Sequence, residues 1–354
     1  MKKLKRLLPF LVLLCGCSLS YTSEITEPAE LPEEVKNVVP VLPPPVYVCQ
    51  ISNINDYQIF ANAGWDGNWY IGYNVCWIEQ LSLSNIPDIK YRKAFIGAKI
   101  GRAKTRTAPG KPSWEKEPIP GEIYIGISST PAWKSSQRYF LASAEDMPLE
   151  ADFENALEGT GESRWFWREV PLEQVNFNGP NYIALWSPTD YFISRDTAPI
   201  LCGGWGARNA EKNTWLNDEI SGVAPMFPES SLKTPISVFE PAIAMKLIPA
   251  GTERQIPVNI TAINESNKNP QDKIIFSTIS APEIERSWLE VSEVNEETGQ
   301  SDWKKTSKYL YNPPYIFTMK ANGLPTGKVL IRIACEDIWS NKGYSQPIEF
   351  EVKR

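Results

Sequence analysis

The chain has 354 residues, a formal net charge of -6, 30 prolines, 13 tryptophans and no histidine. Its acidity argues against nucleic-acid binding, which needs a basic face to meet phosphates. Without histidine, His-based acid/base chemistry, Ser-His-Asp and Cys-His nucleophile systems and the commonest zinc ligand are excluded. Carboxylate chemistry and calcium binding through oxygen remain open.

Residues 1–16 carry Lys2, Lys3, Lys5 and Arg6, then an apolar run over 7–14. A basic start, a short apolar run and a small residue before a cut make a secretory signal. The run is too short to span a bilayer as a helix. Leu14-Cys15-Gly16-Cys17 resembles the bacterial lipobox, with Leu three before a Cys and Gly directly before it. The resemblance implies cleavage after Gly16 and lipidation of Cys17, which would hold the chain on a lipid bilayer through several acyl chains. Ser18 rather than Asp after that cysteine points to an outer membrane or cell surface rather than an inner membrane. Losing residues 1–16 takes the net charge from -6 to -10, so the anchor would be lipid and not electrostatic.

Residues 17–45 form an acidic, proline-rich tether after the lipidated cysteine. Glu24, Glu27, Glu30, Glu33 and Glu34 alternate with Pro28, Pro32, Pro40 and Pro43-Pro44-Pro45. Such a segment buries too little apolar surface to offset chain entropy. At ~3.1 Å per residue in polyproline II it reaches tens of ångströms.

From 46 to 249 the pattern is β. Strands are expected over 46–51, 70–77, 93–100, 122–127, 181–186 and 238–247, with one short helix around 147–157 and a long loop over 104–118. Many short strands without alternating helices indicate a β-sandwich. A joint at 250–254 leads to a second β unit, so the second domain is 250–354. Its strands are expected over 256–263, 273–279, 315–320, 329–335 and 348–352. In the fourth, Val329, Ile331, Ile333 and Cys335 share one face, which makes Cys335 a buried free thiol.

Leu324-Pro325-Thr326-Gly327-Lys328-Val329 through Asp337, then Asn341-Lys342-Gly343 and residues 347–352, resemble the last strands of bacterial immunoglobulin-like domains, with the turn order altered. The resemblance implies an extracytoplasmic spacer or adhesion module. Ala98-Lys99-Ile100-Gly101-Arg102, Ile123-Tyr124-Ile125-Gly126-Ile127 and Tyr182-Ile183-Ala184-Leu185-Trp186 are similar to galactose-binding-like jelly rolls of the carbohydrate-binding type. No binding motif carries over from them. The fold class is therefore all-β, a jelly-roll-type β-sandwich followed by an immunoglobulin-like one.

Ten of the 13 tryptophans lie between Trp65 and Trp215, and flat indoles stack well on sugar rings. Two groups are candidate ligand contacts. Trp65 and Trp69 flank the turn Asp66-Gly67-Asn68. Trp205 sits among glycines in Cys202-Gly203-Gly204-Trp205-Gly206, followed by Arg208, Asn209 and Trp215, with Arg and Asn available to hydroxyls. The competing reading places these rings in a core; for Trp165 and Trp167, two apart on one strand, core is the expectation. Cys49, Cys76 and Cys202 allow at most one bridge, in any of three pairings. Glu150, Asp152, Glu154, Glu158 and Glu162 offer oxygens to structural calcium but lack EF-hand spacing, so a solvated surface is expected and no cofactor or metal. A glycoside hydrolase needs two carboxylates about 5 Å or roughly 6.5–9.5 Å apart, and nothing in the sequence selects a pair among the 42 acidic residues. The expected role is thus an envelope lipoprotein binding carbohydrate without catalysis. The alternative is an assembly lipoprotein that contacts envelope proteins.

Overall fold

The structure, a computed structural model, describes residues 42–57, 69–149, 163–205, 213–236, 239–267, 271–293 and 302–352. Two antiparallel sheets face each other in the first part of the chain. One is centred on Tyr91–Gly101, which pairs with Ile243–Pro249, Ser163–Val170 and Ile200–Leu201; Val46–Val48 adds to Ile243–Pro249 at the edge. The other runs in the order Thr234–Pro235, Thr214–Asn217, Cys76–Ser82, Pro180–Trp186, Glu122–Ser128, Arg138–Ser143. The central pairings of the two sheets join strands far apart in sequence: Tyr91–Gly101 with Ile243–Pro249 and Ser163–Val170, and Cys76–Ser82 with Pro180–Trp186 and Thr214–Asn217. Trp77, Leu81, Ile96, Ile100, Ile123, Ile125, Ile183, Leu185, Met245 and Leu247 alternate inward and fill the space between the sheets.

A second sandwich begins after Pro249. Val258–Glu265, Lys273–Ile279 and Tyr315–Met319 make one sheet. Ile284–Glu293, Gly327–Asp337, Lys342–Tyr344, Ile348–Val352 and the short Lys304–Lys305 make the other. Ile275, Leu289, Phe317, Ile331, Ile333 and Cys335 form its core. The sheets on either side of Pro249 share no strand, and the architecture is all-β.

Several expectations change. The residues 147–149 are extended rather than helical: Met147 has φ -88 and ψ 152, and Leu149 bridges Ala103 in parallel. The remainder of that expected helix lies outside the described residues. The expected loop over 104–118 contains a hairpin, Thr105–Thr107 against Lys116–Pro118, pinned by Arg106 Nε to Glu117 Oε1 at 2.8 Å, with Trp114 78% exposed at its tip. Cys49, Cys76, Cys202 and Cys335 are all free. Cys76 belongs to the outer face of the six-stranded sheet, and Cys202 packs with Ile51, Tyr57 and Ala242 elsewhere, so those two thiols occupy different apolar clusters. Cys335 is a buried free thiol of the second core, and burial pushes its pKa up to about 12. Trp165 and Trp167 are not in the core between the sheets. Phe166 is; the two tryptophans share the opposite face of Ser163–Val170, half-buried and stacked at 4.9 Å and 12°.

Candidate binding cleft

Of the residues singled out in the sequence, Cys17, Trp65, Asp66, Asn68, Arg208 and Asn209 lie outside the described residues. Trp69 is half-buried and packs on Trp77, ring centroids 5.0 Å apart, with Phe239 edge-on at 5.8 Å. Trp215 stands opposite Ile78 in register and packs with Cys76, Trp133 and Trp186. Trp77 and Ile78 are consecutive and so point to opposite faces of their strand. Trp69 and Trp215 therefore flank the six-stranded sheet from opposite sides and do not form one platform. Trp205 ends the strand Gly203–Trp205, paired with Phe239.

Two carboxylates do converge. Thr214 Oγ1 lies 2.8 Å from Glu79 Oε2 and 2.7 Å from Glu240 Oε2, so the two carboxyl oxygens are at most about 5.5 Å apart. A hydroxyl has one proton and can donate to only one of them. The other carboxyl must be protonated and donate to Thr214. Glu79 is the fully buried one, and burial, then the charge of Glu240, raises its pKa well above the ordinary range against the opposing Thr214 contact. The chain of bonds thus runs from neutral Glu79 through Thr214 to Glu240. A separation up to that bound is compatible with the ~5–5.5 Å of a retaining glycosidase, but Glu79 has no exposed surface and its Oε1 has no partner. A glycosidic bond cannot reach it in this geometry.

A solvent-open cleft lies elsewhere on the first sandwich. Its volume is about 650 Å³, and its walls come from the turn after Cys76–Ser82 and the turn before Pro180–Trp186. The first wall carries Ser82, Ser84, Asp88 and Ile89; the second carries Phe177 and Asn178. Each turn is fixed from within. Ser84 N donates to Ser82 Oγ at 3.3 Å, and Tyr91 OH donates to the Pro87 carbonyl at 2.9 Å. Buried Asn181 accepts from Asn176 N at 2.8 Å and donates back to the Asn176 carbonyl at 2.9 Å, while Asn178 N donates to Asn176 Oδ1 at 3.2 Å. These bonds satisfy the turn backbone and present Phe177 outward. Its ring is 38% exposed and stacks parallel on buried Tyr91, centroids 6.1 Å apart at 17°. Burial, then the charge of Asp88, raises the Tyr91 pKa, so its hydroxyl remains a donor.

The arrangement offers one apolar ring face beside hydroxyl, amide and carboxylate groups, within the ~300–1,000 Å³ of typical ligand sites. Such a face takes the C–H side of a flat ring, and the polar groups bond its hydroxyls. Asp88 is the one carboxylate among the described lining residues, so paired-carboxylate hydrolysis has no second partner here. The sequence signal for this cleft is a large aromatic inside Asn176-Phe177-Asn178-Gly179-Pro180. It contains no tryptophan, so the tryptophan pattern does not point to it. Among the described residues no cluster of three or more His, Cys, Asp or Glu could hold a metal ion, and no helix is long and apolar enough to cross a membrane.

No protein-family model and no curated protein sequence matches the chain. Among solved structures, it is similar to the glycoside hydrolase domain of Endo-D from Streptococcus pneumoniae R6, at 9% identity and TM-score 0.22, over 77% of this chain and 31% of that one. It is also similar to the β-D-glucuronidase of Dictyoglomus thermophilum, at 10% identity and TM-score 0.20, over 88% of this chain and 43% of that one. The Ruminococcus gnavus β-glucuronidase matches at 8% identity and TM-score 0.18, over 84% and 39%. The chain spans less than half the length of each of these chains. Likeness at this level carries no argument about function.

Proposed function

We propose that this protein is a membrane-anchored envelope lipoprotein, held by acylated Cys17, that binds carbohydrate without catalysis at the cleft between Ser82 and Gly179. The observation that carries the reading is the exposed Phe177 ring, backed by Tyr91 and flanked by Ser82, Ser84, Asp88 and Asn178. The turns are hydrogen-bonded before any ligand arrives, which lowers the ordering cost of binding. The lipobox and the acidic tether support the address.

The test is a glycan array probed with residues 18–354, followed by calorimetry on any hit. Phe177→Ala is expected to weaken the hit by about tenfold, the effect of losing one well-covered aromatic. Trp205→Ala is expected to leave it unchanged. Loss with Trp205→Ala alone moves the site to the glycine-flanked turn, and silence across the array removes the carbohydrate reading.

A second reading, contact with an envelope protein, is favoured by one observation. Met226 and Phe227 are 60% and 63% exposed beside exposed Val223 on a single loop. Apolar groups gathered in this way favour protein partners.

A further inference from the structure

The two sandwiches meet across a second cleft of about 240 Å³, distinct from the cleft around Phe177. On one wall the outer face of the first sandwich presents Phe95, Lys99, Trp165, Trp167 and Lys246. On the other, the second sandwich presents Glu285, Arg286, Tyr311 and Glu336. Register places these groups together. Lys99 stands opposite Trp165, Gly97 opposite Trp167, and Phe95 opposite Lys246 on neighbouring strands, so their side chains share a face.

Most of the charge is matched locally. Lys246 Nζ bonds Glu285 Oε2 at 2.9 Å and sits 5.0 Å above the Trp167 ring. Arg286 bonds Glu336 Oε2 through Nε at 3.1 Å and Nη2 at 2.7 Å, opposite it in register. The Arg164 guanidinium covers the Tyr311 ring at 3.8 Å. Lys99 is different: its ammonium donates to the neutral Tyr57 carbonyl, and no described carboxylate pairs with it. The two described carboxylates of the lining, Glu285 and Glu336, are already bonded to Lys246 and Arg286, so neither answers Lys99, in a chain whose net charge is -6. A half-buried ammonium holding one carbonyl retains two donors and an uncompensated charge. The walls beside it are indole rings.

We infer that this junction is a binding site for a small carboxylate-bearing ring, a sugar acid, with the carboxylate on Lys99 and the ring against Trp165. The void is smaller than the ~300 Å³ lower range of drug-sized sites, so it admits one ring and not a chain of them. The site is independent of the carbohydrate reading at Phe177, and each can fail alone.

Galacturonate and galactose, titrated separately against residues 18–354 with tryptophan emission and calorimetry as readouts, test the inference. The Phe177 cleft has no tryptophan in its lining, so emission reports the junction. Galacturonate is expected to bind and shift the emission, and galactose to do neither. Lys99→Gln is expected to weaken galacturonate at least about tenfold, the loss of one charge-assisted bond. Lys99→Arg keeps the charge and is expected to retain binding. The inference is overturned if galacturonate produces no saturable change, if galactose binds equally well, or if Lys99→Arg loses as much as Lys99→Gln, which would assign the loss to packing.

Discussion

Glu79 shows what one buried acid does to the pH response of a fold. Folded, its pKa is raised by burial and by Glu240; unfolded, it titrates near ~4.3. An acid that holds its proton more tightly when folded contributes stability that is complete below the unfolded pKa. That contribution is lost as pH rises toward the folded value. Glu240, raised by burial, has the same sign. The stability these two groups contribute is therefore expected to fall as pH rises above the unfolded carboxyl pKa of ~4.3. Glu79→Gln keeps the bond chain, since its Nε2 donates to Thr214, which then donates to Glu240. It removes one proton from the linkage. Thermal melts across that rise in pH are expected to show a shallower decline in the variant and a higher melting temperature than wild type at the alkaline end. Equal slopes would mean that Glu79 is charged in the folded protein. None of this was legible in the sequence. Glu79 lies within Cys76-Trp77-Ile78-Glu79-Gln80-Leu81, a strand whose apolar alternation it interrupts, and its partners are 135 and 161 positions away.

At the scale of the element, strands read clearly in sequence where apolar residues either alternate with polar ones or form a short β-branched run. Lys273–Ile279 and Ile348–Val352 fall where expected, and the expected strand over 93–100 lies inside Tyr91–Gly101. Ile284–Glu293 is a strand where the sequence pattern predicts none. Its alternation is broken by Glu285, Arg286 and Glu290, which are accommodated only because Lys246, Glu336 and Arg332 answer them from other strands. The same dependence on distant partners hid both clefts. The Trp167 ring sits over Gly97 of the neighbouring strand, which has no side chain there to displace it, and Trp165 stacks on Trp167. A Cβ at Gly97 would stand 2.4 Å from Trp167 Cε3 and 2.5 Å from the Phe166 carbonyl oxygen. The oxygen belongs to the paired strand and cannot swing aside. Gly97→Ala is expected to destabilise by about 1–3 kcal/mol, the cost of overpacking, read as a lower denaturant midpoint at unchanged slope. A change under about 0.5 kcal/mol, the ordinary range for surface substitutions, would show that the sheet opens without strain.

Across the whole of residues 42–352, what matters is whether two sandwiches joined by a five-residue segment behave as one body. The contacts say that they do. Arg92, on the central strand of the first sandwich, donates from Nη2 to the Trp339 carbonyl at 2.6 Å and to Asn341 Oδ1 at 2.9 Å. Its Nε meets Thr252 on the joint at 3.1 Å. Arg254, at the end of the joint, bonds fully buried Asp337 at 2.7 Å and covers the Trp339 ring at 4.6 Å. Asp337 is also held by the backbone N–H groups of Trp339 and Asn341. Phe95, Ile248 and Trp339 close an apolar patch across the same seam. An interface with guanidinium groups bonded across it and a buried apolar centre couples its two sides, so a single calorimetric transition is expected for the wild-type chain. Arg92→Ala removes two charge-assisted bonds that cross the seam. A loss of roughly 2–4 kcal/mol is expected, from ~1.5–3 kcal/mol for each bond offset by water entering a partly open site. Because those bonds hold the sandwiches to each other more than they hold either one together, the loss should appear as the single transition resolving into two. If Arg92→Ala instead lowers one undivided transition, the coupling resides in the Phe95–Ile248–Trp339 patch. The junction cleft would then survive the substitution with its walls in place.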